Sequence, residues 1–260
     1  FNFEHCQDGN IRLFIGTKTN NIGYLSFKTH REFEIPNSLY VRKERGQYYV
    51  SFCYESGVNE TSLSSSAEHL AFLQGAPREF LEQYTIGIDR GVAIPAQAGE
   101  QSFDFSANQK HHLSKADRYL QRLQRKLARQ QKGSNRRTKT KRRISGYHGK
   151  KGNVRRDFNH QTSRALVNSH AKVFVFEALR TAQMTRRPNA KQDEAGHFLP
   201  NKAKQKAGLN KAILHSGWHM LESFTKYKAY QAGKAFFKIS ASYTSQECAV
   251  CGYIHPANRI

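Results

Sequence analysis

Three short apolar segments alternate with long helical patterns over the last two thirds of the chain. Residues 84–89 (YTIGID), 171–177 (AKVFVFE) and 235–240 (AFFKIS) have the length and the β-branched and aromatic content of buried strands. Between them, apolar residues recur at helical spacing, including one helix predicted over residues 209–232 and capped by Gly233. Strands that alternate with helices are typical of an α/β domain, so we predict one with a mixed or parallel sheet over residues 83–242.

The first 57 residues have a different pattern, rich in β-branched and aromatic residues that Gly and Asn interrupt. Four segments predict strands, at residues 11–15, 22–28, 39–43 and 47–55. Arg45 and Gly46 suit a hairpin turn between the last two strands. We therefore predict a small β-unit, barrel-like and partial, over residues 1–57. The Ser-rich segment that follows begins a linker over residues 58–82, with weak helical character up to Pro77.

A basic helical hairpin is predicted within the α/β domain, at about residues 113–170. Its first helix shows apolar residues at spacings of three and four, namely Leu113, Ala116, Leu120, Leu123 and Leu127. Gly133 and Ser134 interrupt the pattern, and a second helix can be drawn after them. Gly146, Gly149 and Gly152 weaken that second helix, unless they allow another backbone to approach closely. Residues 91–98 and 101–106 before the hairpin are expected to be extended, and residues 185–207 after it to form a loop.

The charge of the hairpin points to a polyanionic partner. The chain has 42 Lys and Arg residues against 20 Asp and Glu residues, a formal net charge of +22. Residues 110–156 hold 18 of these cations and one acid, Asp117. A solvated helical face usually mixes signs, whereas this one would repel itself without phosphates to pair with it. The candidate nucleic-acid-binding residues are Arg118, Arg122, Arg125, Arg129, Arg136, Arg137, Lys139, Lys141, Arg142, Arg143, Lys150, Lys151, Arg155 and Arg156. Few aromatic residues lie between them, so we expect contacts to the backbone rather than to bases.

Two carboxylates, Asp89 and Glu177, each end an apolar strand. Either residue alone is ordinary at a strand end. Together they can converge at one edge of a sheet and hold Mg²⁺, which prefers oxygen ligands and keeps several waters. Two such ions assist phosphodiester hydrolysis in many nucleases. Gly87 and Gly91 leave room for a ligand beside Asp89.

Cys248 and Cys251 form a C-x-x-C pair followed by Gly, within residues 243–260. This spacing supplies half of a tetrahedral zinc site. A redox pair or two free thiols are the alternatives. No thioredoxin-like strand and helix pattern surrounds the pair, so half of a zinc ribbon is favoured.

Three motifs occur in a fixed order: IGIDRGV at 86–92, VFVFEAL at 173–179 and YTSQECAVCG at 243–252. In this order, and with the basic hairpin between the first two, they resemble the TnpB proteins encoded by insertion sequences, relatives of the type V CRISPR effectors. The resemblance covers nearly the whole chain. Arg90 stands where such motifs more often have a small or apolar residue, and we expect it to be tolerated beside phosphate.

The resemblance implies a fold and an activity. It implies a RuvC, RNase H-like nuclease domain, preceded by part of a wedge-type β-barrel and followed by half a zinc ribbon. Asp89 and Glu177 match two catalytic acids that hold Mg²⁺, and Cys248 and Cys251 match zinc ligands. The implied activity is cleavage of double-stranded target DNA directed by a guide RNA. The second Cys pair, the third acid, the first part of the wedge and the family's helical recognition insertion are absent from these 260 residues, so we expect a chain truncated at both ends and inactive alone.

Other functions compatible with the sequence are an RNA-guided DNA-binding repressor that has lost cleavage, a transposase or an accessory protein of one, and a structural RNA-binding protein. The last explains the charge but not the paired acids or the Cys pair. No run of about 18 apolar residues occurs, so no membrane span is predicted. We expect a prokaryotic cytoplasmic protein that associates with the nucleoid.

Overall fold

A computed structural model describes residues 2–6, 10–17, 19–29, 32–55, 66–244, 246–248 and 251–258. The chain divides into two compact units, Phe1–Asn59 and Glu60–Ile260. Within the described ranges, no helix is both long enough and apolar enough to cross a membrane.

The first unit contains two antiparallel sheets. One sheet is formed by β1 (Phe3–His5), β2 (Asn10–Gly16) and β3 (Asn21–Lys28), and the other by β4 (Ser38–Glu44) and β5 (Gln47–Cys53). The four predicted strands are confirmed, and β1 is an additional one. Where sequence predicts one barrel-like unit, the described residues form two separate sheets.

Aromatic packing and a tight turn stabilise this first unit. The rings of Phe3 and Phe27 both meet the ring of Phe52 edge to face, with centroids 5.8 and 5.9 Å away. Arg45 and Gly46 have φ angles of 54° and 83°, both left-handed. Two successive left-handed residues are what a two-residue hairpin turn requires, so the predicted turn is confirmed.

The second unit is built around a five-stranded mixed sheet. Its elements in chain order are α1 (Ser66–Gly75), α2 (Arg78–Tyr84), β6 (Thr85–Asp89), β7 (Ala96–Ala98), β8 (Gln101–Phe103), α3 (Ala107–Ala128), α4 (Asn135–Val167), β9 (Val173–Glu177), α5 (Thr181–Met184), β10 (Lys191–Gln192), β11 (Phe198–Leu199), α6 (Ala203–Ser216), α7 (Trp218–Gln231) and β12 (Ala235–Ile239). The strand order is β12-β9-β6-β7-β8. The strands β12, β9 and β6 are parallel, and β7 and β8 add an antiparallel hairpin to the edge of β6.

The core lies where α4 and α7 cover one face of this sheet. Ile88 and Phe176 are register partners on β6 and β9 and are both buried. Leu166 from α4 and Leu221 from α7 belong to the same buried cluster. The near-continuous apolar run of β9 is typical of a central strand in a parallel sheet. The α/β prediction is therefore confirmed.

The segment after β6 departs from the extended run expected over residues 91–98. Residues 91–95 turn back, and only β7 is extended, antiparallel to β6. A Cβ added at Gly91 would lie 2.6 Å from the carbonyl oxygen of Ile94, so the turn needs a glycine at this position.

The helical hairpin is longer than the sequence pattern suggests. Helix α3 begins after Ser106, which forms a capping box with Gln109, six residues before the first predicted core position. Gly133, at φ 84°, ends the connection, and Ser134 caps α4. Helix α4 continues through Gly146 and Gly152, where an added Cβ would meet no atom within 4 Å. These two glycines therefore do not serve a close backbone approach, whereas Gly149 is buried.

The single helix predicted over residues 209–232 is instead two helices, α6 and α7. Gly217 separates them with a left-handed φ of 75°, and an added Cβ there would lie 2.9 Å from Nδ2 of Asn159. The predicted cap at Gly233 is confirmed: its N–H donates to the Tyr230 carbonyl at 3.1 Å, and that of Lys234 donates to Ala229 at 2.8 Å. The predicted loop over 185–207 contains the short hairpin of β10 and β11.

Candidate functional site

The sheet brings Asp89 and Glu177 to the same edge. The parallel register pairs Ile88 with Phe176, and Asp89 and Glu177 are the next residues on their strands. Adjacent strands lie about 4.8 Å apart, and successive side chains point to opposite faces. Both carboxylates therefore project from the face opposite to the buried Ile88 and Phe176. The juxtaposition of two acids 88 residues apart in sequence follows from this register.

The two carboxylates have different surroundings. Asp89 is exposed, and its carboxylate has no hydrogen bond or ion pair to any residue that the structure describes. Glu177 is half-buried, and its Oε1 accepts a 2.7 Å hydrogen bond from the hydroxyl of Thr244. Thr244 follows β12, which pairs with β9 along its whole length. Sequence analysis included Thr244 in the third motif but assigned it no role, because a threonine in a loop gives no signal of its partner.

Arg90 is buried behind these acids rather than beside phosphate. Its side chain is only 1% exposed. One terminal nitrogen, Nη2, donates to the backbone carbonyl of Glu177, and the other, Nη1, donates to Oε2 of Glu222 at 2.7 Å and to the carbonyl of Trp218 at 3.4 Å. The guanidinium also lies over the ring of Phe176, 5.3 Å from its centroid. The expectation that Arg90 faces phosphate is wrong.

Glu222, on α7, is the counter-charge for Arg90. Its carboxylate also accepts a 2.8 Å hydrogen bond from Lys238 on β12. Burial alone would raise the pKa of Glu222, but the hydrogen bonds from Lys238 and Arg90 hold it below its ordinary value. Trp218 adds a further link, because its indole N–H donates to the carbonyl of Gly91 at 3.0 Å. These contacts join the ends of β6 and β9 to α7.

The basic hairpin presents most of its predicted cations to solvent. Eleven of the fourteen candidate residues are exposed: Arg118, Arg122, Arg125, Arg129, Arg136, Lys139, Lys141, Arg142, Arg143, Lys150 and Arg156. Each of the two helices carries several of them. This set is called the basic surface below.

The other three candidates, Arg137, Lys151 and Arg155, turn inward. Arg137 donates to the carbonyls of Leu127 and Gln130, which closes the connection between α3 and α4. Lys151 is buried and pairs with Asp117. Burial would raise the pKa of Asp117, but the hydrogen bond from Lys151 holds it below its ordinary value.

Arg155 is half-buried and donates to the carbonyl of Leu214 at 3.1 Å. Burial lowers its pKa. Arg137, Lys151 and Arg155 therefore have structural partners within the second unit, and we leave them out of the basic surface.

Cys248 and Cys251 lie in a small turn. The N–H of Cys248 donates to the carbonyl of Tyr253 at 2.9 Å, and the N–H of Gly252 donates to that of Cys248 at 2.8 Å. Gly252 is left-handed, at φ 71°. Cys248 is half-buried and Cys251 is exposed. Within the described ranges, no group of three or more His, Cys, Asp or Glu side chains is placed to hold a metal ion.

A family of transposon proteins matches more than half of this chain. The family is OrfB_IS605, described as "Probable transposase", and it matches residues 51–187. The chain belongs to this family. The resemblance to TnpB proteins is thereby confirmed. A second match, to the family "Cas12f1-like, TNB domain", covers residues 218–260.

Two curated relatives carry names that describe an activity. The chain is 29% identical over 252 residues to "Putative RNA-guided DNA endonuclease InsQ" of Escherichia coli strain K12, over 96% of the chain and 56% of the relative. It is 25% identical over 223 residues to "Putative RNA-guided DNA endonuclease" of Streptomyces pristinaespiralis, over 84% of the chain and 45% of the relative. The chain thus spans about half the length of the curated relatives it matches.

Among solved structures, the chain resembles one titled "Cryo-EM structure of the Cas12f1-sgRNA-target DNA complex", with a TM-score of 0.44 and 16% identity over 66% of this chain and 32% of that one.

The OrfB_IS605 match contains Asp89, Glu177 and the whole hairpin, whereas the TNB match contains Cys248 and Cys251.

Glu222→Gln should lower the free energy of unfolding at about pH 7 by about 3 kcal/mol, because Arg90 then lies buried beside a neutral amide. The folded-state pKa of Glu222 is lowered, so its contribution is present above the ordinary value of 4.5 and is lost as pH falls below it. The stability of the unchanged chain should therefore fall more steeply below that pH than the stability of the variant. Urea denaturation between about pH 7 and about pH 3 measures both effects.

Glu79→Gln is the matched control, since Glu79 is exposed on α2. It removes the same charge and should change the stability by less than about 0.5 kcal/mol. If the stability of the unchanged chain and that of Glu222→Gln fell equally with pH, the ion pair of Arg90 with Glu222 would not contribute to stability as argued.

Proposed function

We propose that these 260 residues are part of an RNA-guided DNA endonuclease of a mobile element, which hydrolyses DNA phosphodiesters with the help of metal ions. The observation that carries the proposal is the placement of Asp89 and Glu177, side by side at the ends of two parallel strands. The names of the two curated relatives support it, as does the family to which the chain belongs. Such a protein acts where the DNA is, at the prokaryotic nucleoid.

We propose that the second unit has the RuvC, RNase H-like fold. An antiparallel run of three strands, β6, β7 and β8, is followed by two strands that join the sheet on the other side of β6. The strands β9 and β12 enter parallel to β6, after the helical hairpin and after α7. This order supports the fold that the motifs imply. The two sheets of the first unit are proposed to be part of the wedge domain.

Mg²⁺ fits the donor set at this edge of the sheet. Two adjacent carboxylates offer the oxygen ligands that Mg²⁺ prefers, and the exposure of Asp89 leaves room for the waters that the ion retains. Asp89 and Glu177 would hold the metal. When bound, Mg²⁺ supplies Lewis-acid stabilisation of charge on the phosphate oxygens and a water of lowered pKa.

Neighbouring residues of this chain would orient the two carboxylates. Thr244 directs one oxygen of Glu177 through its 2.7 Å hydrogen bond and leaves the other oxygen available. Arg90 holds the backbone of Glu177, and Glu222 holds Arg90 in turn. Because this support is buried, the spacing of Asp89 and Glu177 does not depend on exposed side chains.

Asp89→Ala should abolish most DNA cleavage by the full-length protein in the presence of its guide RNA and Mg²⁺, with a loss of at least about 100-fold. Glu177→Gln should behave alike, since it keeps the shape and removes the charge. Binding of target DNA should persist, because the basic surface is intact. Cleavage assays and DNA-binding assays on the same preparations measure both properties.

Glu100→Gln provides the control, because Glu100 lies exposed in the turn between β7 and β8. It should cleave like the unchanged protein. Near-normal cleavage by either site variant would contradict the carboxylate assignment. Guided binding without any cleavage by the unchanged protein would favour the repressor alternative.

We propose that the basic surface binds the phosphate backbone of nucleic acid. Replacing Arg136, Arg142 and Arg143 with Gln should flatten the dependence of log affinity on log salt by about 2–3 units for the three contacts. The same three residues replaced with Lys keep the charge and should preserve most of the slope. A slope that is unchanged in the Gln variant would remove the basis for this interface.

We propose that Cys248 and Cys251 supply two of the four ligands of a structural zinc ion. A turn closed by hydrogen bonds around a C-x-x-C and a left-handed glycine suits such a site. Metal analysis of the full-length protein should find one zinc per chain, and Cys248→Ser should lose it. Cys53→Ser, in β5, should retain it. The 260-residue chain alone should bind zinc poorly, because two thiolates leave the ion half-coordinated.

A further inference from the structure

We propose that a groove between α3 and α4 binds an unpaired nucleotide, with its base stacked on the exposed ring of Tyr119, which Tyr147 supports from the other face, and its phosphates held by Lys115 and Lys150. The inference rests on the proposed function and deepens it. It adds a site for single-stranded nucleic acid to a surface otherwise assigned to backbone contacts.

The two tyrosines form one ring stack, so a base can add only to an outer face of the pair. Their ring centroids lie 5.3 Å apart and their planes differ by 11°, so the rings are stacked and offset. Tyr119 comes from α3 and Tyr147 from α4, on facing sides of the hairpin. Tyr119 is 39% exposed. An aromatic pair that remains partly in water, on a surface with this charge, can accept a further planar ring.

Cations surround the ring stack, and among the described residues no acid lines the groove. Lys115 and Lys150 are exposed lining residues, and neither forms an ion pair with a carboxylate in the part of the chain that the structure describes. The ammonium of Lys150 lies 5.5 Å from the ring centroid of Tyr147. His112 and Asn153 add hydrogen-bonding groups at the rim. The groove has a volume of about 590 Å³, within the range of small-molecule sites.

The nearest acid does not oppose an anionic ligand. Asp117 pairs with Lys151 and lies 3.5 Å from Lys211, so two cations offset its charge. The groove therefore keeps a positive balance from Lys115 and Lys150. An acidic protein would also suit the charge, but an exposed aromatic ring flanked by cations matches the alternation of base and phosphate in a nucleic-acid strand.

The arrangement favours an unpaired strand over a duplex. Bases in a duplex are stacked on one another and cannot reach a side-chain ring, whereas unpaired bases stack on tyrosine with little preference for sequence. An RNA strand and a displaced DNA strand share this chemistry. Tyr119 and Tyr147 are two of the few aromatic residues among the charges, and they are 28 positions apart in sequence. Only the folded hairpin brings them together.

The decisive experiment compares ring removal with ring retention. Tyr119→Leu and Tyr147→Leu in the full chain should each weaken the binding of short single-stranded RNA or DNA by about five-fold or more. Tyr119→Phe and Tyr147→Phe keep the ring and should bind within about two-fold of the unchanged chain. Neither Leu variant should change the salt dependence or the affinity for a duplex of the same length. Separate RNA and DNA oligonucleotides show which strand the groove prefers.

Photocrosslinking of the unchanged chain to oligonucleotides that contain 5-bromouracil is the second measurement. A crosslink mapped to Tyr119 or Tyr147 supports stacking, even if a Leu variant fails to fold. The inference would be overturned by crosslinks that map only to other residues or by an equal loss of affinity for a duplex. It would also be overturned by well-folded Leu variants that bind single strands as tightly as the unchanged chain. If the unchanged chain binds with a steep salt dependence but without tyrosine dependence, this inference fails and the basic surface stands. If it binds no nucleic acid, the proposed function fails as well.

Discussion

The buried guanidinium of Arg90 is the interaction on which the candidate site depends. A cation with a side chain only 1% exposed is costly unless hydrogen bonds and a counter-charge surround it. Arg90 has the carboxylate of Glu222, the backbone carbonyls of Glu177 and Trp218, and the face of Phe176. Its Nε is buried without a hydrogen-bond partner among the described residues. These partners come from β9 and α7, so the charge can be accommodated only when both elements are in place.

This arrangement couples packing to chemistry. Arg90 follows Asp89 directly and donates to the backbone of Glu177, so one buried group links the strand ends that carry the two acids. The acids themselves point to the opposite face, towards solvent and Thr244. One face of the sheet can therefore be well packed while Asp89, on the other face, remains exposed at the strand end. This separation would pre-organise the proposed metal site, because its supports would not need to move when a ligand enters.

The helical hairpin shows how a strongly basic element remains folded. Apolar residues such as Leu113 and Leu120 form its buried seam, and Asp117 is paired with Lys151 at its centre. Arg137 closes the connection between the helices through backbone carbonyls. The remaining cations repel one another at the surface, and a bound polyanion would relieve that repulsion. Stability and ligand binding are therefore linked on this element.

The local sequence pattern was enough to predict the α/β domain, the strands that carry Asp89 and Glu177, the basic hairpin and the Arg45-Gly46 turn. These features depend on apolar periodicity and turn residues, which are local properties of the sequence. The break at Gly217 was missed because the apolar pattern continues across it, and only the close contact with Asn159 and a left-handed φ reveal it.

The burial of Arg90, the contact of Thr244 with Glu177 and the stacking of Tyr119 on Tyr147 were decided by tertiary structure alone. Each joins residues far apart in the chain, and a side chain's spacing in sequence carries no information about a partner that a different element supplies. A charged residue beside Asp89 looks the same in sequence whether it faces phosphate or a buried carboxylate. Only the position of α7 behind the sheet distinguishes the two.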